Sequence, residues 1–161
     1  MNRFRQTRTI VLDTNLLLLF LVGSCGAEWI SKHKRIAIYR IEEFNLLCAI
    51  ISRVRTVVVT PNILTEASNL ARQIGDPKRS EIMARLAAIS RRADERYVES
   101  ASLAAGSPKQ FLRLGITDAG IIDLCKQGLV LLTDDLSLFL EVQRLGGTAV
   151  NFQHLREPLL S

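Results

Sequence analysis

Thr9-Ile10-Val11-Leu12-Asp13-Thr14-Asn15 is the stretch on which the fold turns: four apolar or β-branched residues run without a break and then stop at an acid. A strand that does not alternate with polar residues is buried on both faces, the habit of parallel sheets covered by helices. Three more runs share this character. Thr56-Val57-Val58-Val59 is stopped by Pro61, Leu129-Val130-Leu131-Leu132 by Thr133-Asp134-Asp135, and Thr148-Ala149-Val150-Asn151-Phe152 follows Gly146-Gly147. Segments of helical period lie between them. The reading is an α/β fold, a three-layer α/β/α sandwich around a central, largely parallel sheet of four to five strands.

The spacing predicts a short helix over residues 16–20, then helices over 39–52, 62–73, 118–127 and 136–145. A long amphipathic helix is predicted over 77–99, with Ile82, Leu86, Ile89, Ala93 and Tyr97 on its apolar stripe. Its polar side carries Arg79, Arg85, Arg91, Arg92 and Arg96, and the pairs Glu81-Arg85 and Arg91-Glu95 make a solvated face a sufficient account of them, with RNA contact as the alternative. Residues 104–114, around Gly106-Ser107-Pro108, read as a loop beside the site. No repeat or low-complexity linker divides the 161 residues, so a single domain is expected.

Lys and Arg number 21 against 16 Asp and Glu, for a net charge of +5, which suits a polyanionic partner. Cys25, Cys48 and Cys125 are odd in number and lack CxxC spacing, which disfavours a disulfide framework and a zinc site and points to a reducing cytoplasm. Arg3, Arg5 and Arg8 precede an apolar stretch, but Asp13 and Asn15 interrupt it, so an export signal is a poor reading. No stretch is long enough to span a bilayer, and no membrane is expected as a partner.

Four acids carry the chemistry. Asp13 ends the first strand and Asp135 follows the Leu129 run, so both fall at the carboxyl edge of a parallel sheet, where ligands of open α/β folds bind. Each could equally be a helix cap, and Asp134 could replace Asp135. Glu66 neighbours Ile63 and Leu70 on its helix and has no basic residue at i±3 or i±4, so it is expected to point along a core-facing stripe in need of a cation. Asp118 likewise has only Leu114, Gly115, Ile121 and Ile122 at those positions, although it could be an N-terminal helix acid. Carboxylates gathered at one edge repel, and a hard cation resolves the conflict. Oxygen ligands without thiolate or imidazole favour Mg²⁺ or Mn²⁺.

With these residues in hand, the chain resembles the PIN-domain ribonucleases, which include the toxins of bacterial toxin-antitoxin pairs. The resemblance rests on Val11-Leu12-Asp13-Thr14-Asn15, Thr65-Glu66, Ile116-Thr117-Asp118-Ala119 and Leu132-Thr133-Asp134-Asp135, in that order along nearly the whole chain. It implies that Asp13, Glu66, Asp118 and Asp135 are the metal-binding and catalytic acids. It makes Thr133 a hydroxyl near the site, Asn15 an organiser of the first loop, and Asp135 rather than Asp134 the matching acid. The activity implied is metal-assisted hydrolysis of RNA phosphodiesters, leaving a 5′-phosphate and a 3′-hydroxyl. An antitoxin protein and a homodimer are the partners the family suggests. The stretch between Asp13 and Glu66, with Lys32, His33, Lys34 and Arg35, departs from the compact toxins by its length and basic character.

Rival functions fare worse. A haloacid-dehalogenase-type phosphatase would carry a second Asp where Asn15 stands, and a receiver domain would need an acidic pair after the first strand. GxGxxG and GxxxxGK[ST] are both lacking, which disfavours dinucleotide and P-loop chemistry. The serious alternative is a PIN fold that binds or assembles with little turnover.

Overall fold

The computed structural model describes residues 9–160, with side chains for 9–156. Arg3, Arg5 and Arg8 lie outside the described residues. Among the described residues the sheet has five strands: β1 (Thr9–Leu12), β2 (Thr56–Val59), β3 (Asp94–Glu95), β4 (Val130–Thr133) and β5 (Thr148–Asn151). All pair in parallel, in the order β3-β2-β1-β4-β5. The chain therefore begins in the middle of the sheet, builds outward through β2 and β3, and returns to build outward through β4 and β5. β1 and β4 flank the point where the direction reverses, and at such a point the loops part and leave a crevice at the carboxyl ends of the strands.

Nine α-helices and one 3-10 helix (Ala27–Lys32) complete the layers among the described residues, the α-helices being α1 (Thr14–Cys25), α2 (Ile41–Arg53), α3 (Pro61–Ala71), α4 (Lys78–Arg92), α5 (Ser100–Gly106), α6 (Pro108–Leu114), α7 (Ile116–Lys126), α8 (Leu136–Arg144) and α9 (Phe152–Leu160). Right-handed crossovers put α1 to α4 on one face and α5 to α8 on the other. The packing agrees, since α1 touches α2, α3 and α4, and α7 touches α5, α6 and α8. None of the helices is long and apolar enough to cross a membrane.

The helix after β1 runs to Cys25, well past the predicted 16–20, because nearly every side of it is covered. Leu16, Leu17, Leu18, Leu19, Leu21 and Val22 are all buried. Burial of each leucine is worth about 2 kcal/mol, so a helix apolar all round gains from continuing for as long as it has neighbours. Gly23 is needed there, since a Cβ at that position would stand 2.4 Å from the Phe44 ring of α2.

Three expectations are corrected. The helix predicted over 77–99 stops at Arg92. Beyond it Asp94 and Glu95 pair with Val58 and Val59, and Arg96 N–H donates to the Val59 carbonyl at 2.9 Å. The open edge of β2 thus satisfies backbone groups that another helical turn would have satisfied, and Tyr97, expected on the stripe, is exposed. Residues 104–114 are not a loop. They belong to two short helices that break at Ser107, where Pro108 supplies the preset φ that favours a helix start. The last strand ends at Asn151, whose side chain accepts from Gln153 N–H at 2.9 Å and starts α9 at Phe152.

Candidate active site

The register of β1 on β4 sets the floor of the site. Leu12 pairs with Leu132, and Asp13 N–H donates to the Leu132 carbonyl, so Asp13 emerges beside Thr133 at the carboxyl edge. One oxygen of Asp13 caps α1 by accepting from Leu16 N–H at 3.0 Å. The other accepts the Thr133 hydroxyl and, at 3.1 Å, the Asp134 N–H. The capping and ligand readings of Asp13 are therefore compatible. Asp13 is only 5% exposed. Burial above all, and then the nearby charge of Asp134, push its carboxyl up to about 8, against the opposing pull of its three hydrogen bonds.

Asp135 is exposed and caps α8 by accepting from Leu138 N–H at 3.1 Å, while its own N–H donates to Thr133 Oγ1 at 3.0 Å. Thr133, fully buried, thus ties the ends of β1 and β4 together. Asp118 stands in the first turn of α7 and makes no side-chain hydrogen bond among the described residues. Burial first, then the charges of Asp135 and Glu66, raise its carboxyl to about 7. Glu66 departs from its expected setting. It is exposed rather than aimed at the core, and it is held by two hydroxyls, Thr117 Oγ1 at 2.6 Å and Thr14 Oγ1 at 3.2 Å.

Asp13, Glu66, Asp118 and Asp135 come from four separate segments and line one recess of about 200 Å³, together with Thr14, Asn15, Arg35, Gly115, Thr117 and Leu138. The N-termini of α1, α7 and α8 all open onto it. Their dipoles favour negative charge there and offset part of the repulsion among the acids. Asp134 does not line the recess. It accepts the Tyr39 hydroxyl and, at 3.3 Å, Asn15 Nδ2, and so serves as a brace beneath Asp13. Asn15, at the start of α1, thus reaches the segment after β4 through Asp134.

Sequence reasoning did not single out Thr14, Thr117, Tyr39 or Arg35 as site residues. Thr14 and Thr117 adjoin predicted acids, which is a usable signal. Tyr39 reaches Asp134 across 95 positions of sequence and carries none. Asp123, on the same helix as Asp118, does not line the recess and accepts from Gln127 Nε2 at 2.8 Å.

Among the described residues no group of three His, Cys, Asp or Glu side chains is gathered closely enough to hold an ion unaided. Among the described residues the donors lining the recess are carboxylates, hydroxyls and the Asn15 amide, with no thiolate or imidazole. That chemistry fits Mg²⁺ or Mn²⁺ bound through one or two carboxylates and otherwise hydrated, and it does not fit zinc. The chain matches no model of a known protein family and no curated protein.

Proposed function

We propose that this chain is a cytoplasmic, PIN-type endoribonuclease that hydrolyses phosphodiester bonds with Mg²⁺ or Mn²⁺. The observation that carries the reading is the convergence of Asp13, Glu66, Asp118 and Asp135 on one recess at the β1/β4 crevice. When bound, the divalent ion supplies Lewis acidity, offsetting charge on the phosphate and easing deprotonation of water. The chain's own part is to hold the donors still. Asp13 is fixed by three hydrogen bonds and Glu66 by two threonines. Asp118 and Asp135 keep oxygens free of side-chain donors and so open to water. Three helix N-termini around the recess favour an entering phosphate.

A binding or assembly module with little turnover is the second reading, and the lack of a ready three-residue ligand group among the described residues favours it. A toxin role adds an antitoxin encoded beside the gene, and a homodimer is the assembly the family suggests. Purified protein incubated with a mixed RNA pool separates the two readings. The nuclease reading requires cleavage with Mg²⁺ or Mn²⁺, none with chelator, loss in Asp118→Asn, and normal cutting by Asp123→Asn. No cleavage under any metal, or equal cleavage by wild type and Asp118→Asn, removes it.

A further inference from the structure

Among the described residues Arg35 is the one cation lining the acidic recess, and it forms no ion pair with any of the four acids around it. A basic residue placed to neutralise acids would close on them and lower their proton affinity. The guanidinium lines the recess and makes no side-chain hydrogen bond or ion pair among the described residues.

Its backbone is not loose. His33, Ile36 and Tyr39 recur every third residue and are buried, at 2%, 0% and 3% exposure. Successive turns link them, with Ile36 N–H donating to the His33 carbonyl and Tyr39 N–H to the Ile36 carbonyl, each at 3.0 Å. The His33 ring is the latch. Nδ1 accepts from Arg35 N–H at 3.2 Å, so Nε2 must carry the proton it gives to the Leu70 carbonyl of α3 at 2.8 Å. With one residue in three pinned inward, Lys32, Lys34 and Arg35 are all turned outward and exposed.

Lys32 and Lys34 line a neighbouring recess of about 400 Å³ with His33, Gln73 and Ile74, and neither makes an ion pair among the described residues. Lys32 Nζ rests 4.1 Å from the centre of the Trp29 ring. Glu66 in the acidic recess and Gln73 in this one are seven positions apart along α3 and its end. That is about 10 Å at 1.5 Å per residue, or roughly three nucleotides of a stacked strand.

We infer that residues 32–40 form an arm that holds a single strand of nucleic acid, Arg35 gripping the phosphate in the acidic recess and Lys32 with Lys34 taking a phosphate about three nucleotides away. The inference rests on the nuclease reading for its substrate, and adds to it the residues that hold the strand and its form. A planar guanidinium can grip a phosphate with two parallel hydrogen bonds, whereas the two lysines supply unoriented charge farther along. The recess has a floor residue only 5% exposed. A flexible strand can bend into it, while the stiff convex surface of a duplex cannot.

The test is the salt dependence of binding, read by fluorescence anisotropy with a labelled ten-nucleotide single-stranded RNA in Mg²⁺. The full chain carries Asp118→Asn as a background so that the probe stays uncut. Each phosphate contact on a single strand contributes about 0.7 to the slope of log affinity against log salt concentration. Adding Arg35→Ala should weaken binding about tenfold at low salt and lower the slope by about 0.7. Adding Lys32→Ala with Lys34→Ala should likewise lower it by about 0.7, for the one phosphate that the two share. Arg91→Ala, the same charge change on the exposed side of α4, should leave the slope unchanged. Arg35 is exposed, so its variants should melt with the parent. If the arm variants behave like Arg91→Ala, or if duplex RNA binds as tightly with the same losses, the inference is overturned. If these slopes appear but wild-type protein never cuts RNA, the catalytic reading falls and the arm stands as that of a binding module.

Discussion

Asp118→Asn, melted in the presence of a chelator, isolates the cost of keeping charge in the recess. The Asp118 carboxyl is pushed up to about 7 in the fold from its ordinary value of 3.8, by burial and then by Asp135 and Glu66. Between those two pH values the folded chain holds a proton that the unfolded chain has released, so stability falls as pH rises through the window and stops falling above pH 7. The full slope is about 1.4 kcal/mol per pH unit per proton. From pH 5.5 to 7 that amounts to about 2 kcal/mol, which water around a partly exposed group reduces to about 1 kcal/mol. Asp13 adds a slope of the same sign up to about pH 8, common to both proteins. Glu141 and Asp76, whose carboxyls are lowered, lose their contributions only at pH values below this window. Asp118 makes no side-chain hydrogen bond among the described residues, so the amide should leave no partner stranded. At pH 7.5 the variant should therefore melt about 2–4 °C above wild type. At pH 5.5 the gap should close, because a protonated Asp118 is as neutral as Asn. Mn²⁺ at a hundred times its dissociation constant should stabilise wild type by about 2.7 kcal/mol, and the variant by less. Differential scanning fluorimetry at both pH values decides it. A variant that melts below wild type at pH 7.5, or a gap that persists at pH 5.5, would mean that the Asp118 charge serves the fold.

Asp13→Asn should behave differently, because Asp13 accepts from Leu16 N–H, the Thr133 hydroxyl and Asp134 N–H. An amide must turn an NH₂ toward one of these donors, at a cost of about 1–3 kcal/mol. Urea titration should show the loss, and cleavage has to be scored per folded molecule. Arg156→Ala should remove about 3 kcal/mol, because Arg156 Nε lies 3.0 Å from Glu43 Oε1, which is fully buried and accepts no hydrogen bond. Arg156→Lys should restore part of that stability by the same titration. Changing Cys25, Cys48 and Cys125 together to Ala should lower the melting temperature through small cavities and leave specific cleavage unchanged. Burial raises all three thiols, Cys125 to about 12, and holds them in the unreactive form.

The strands were readable wherever an unbroken apolar run met Pro or Asp. β1 and β2 fall where expected, and β4 is displaced by one residue. β3 was not readable, since two edge residues have no period to detect. α6 was hidden because Pro108 punctuates a loop as readily as it starts a helix. Asp13 and Asp135 were legible as strand-end acids. Glu66 was found by its lack of local partners, but the reason given for it fails, as Thr14 and Thr117 are long-range neighbours that no i±4 test can see. Arg35 was invisible as a site residue because its placement depends on a His33 to Leu70 contact across 37 positions.

The double use of the Asp13 carboxylate, as cap of α1 and as acceptor from the last residue of β4 and the first beyond it, divides the recess into walls of unequal stiffness. On one wall the strand ladder is in effect prolonged by a side chain, and displacing Asp13 means breaking three hydrogen bonds and uncapping a buried helix. The opposite wall hangs on the hydroxyls of Thr14 and Thr117, which join Glu66 of α3 to the starts of α1 and α7. Hydroxyls rotate and exchange partners at little cost. Any contraction of the recess around an ion or a phosphate is thus carried by α3 and α7 swinging against a fixed anvil, and amide hydrogen exchange should be slowest at Asp134 and faster along the first turn of α7.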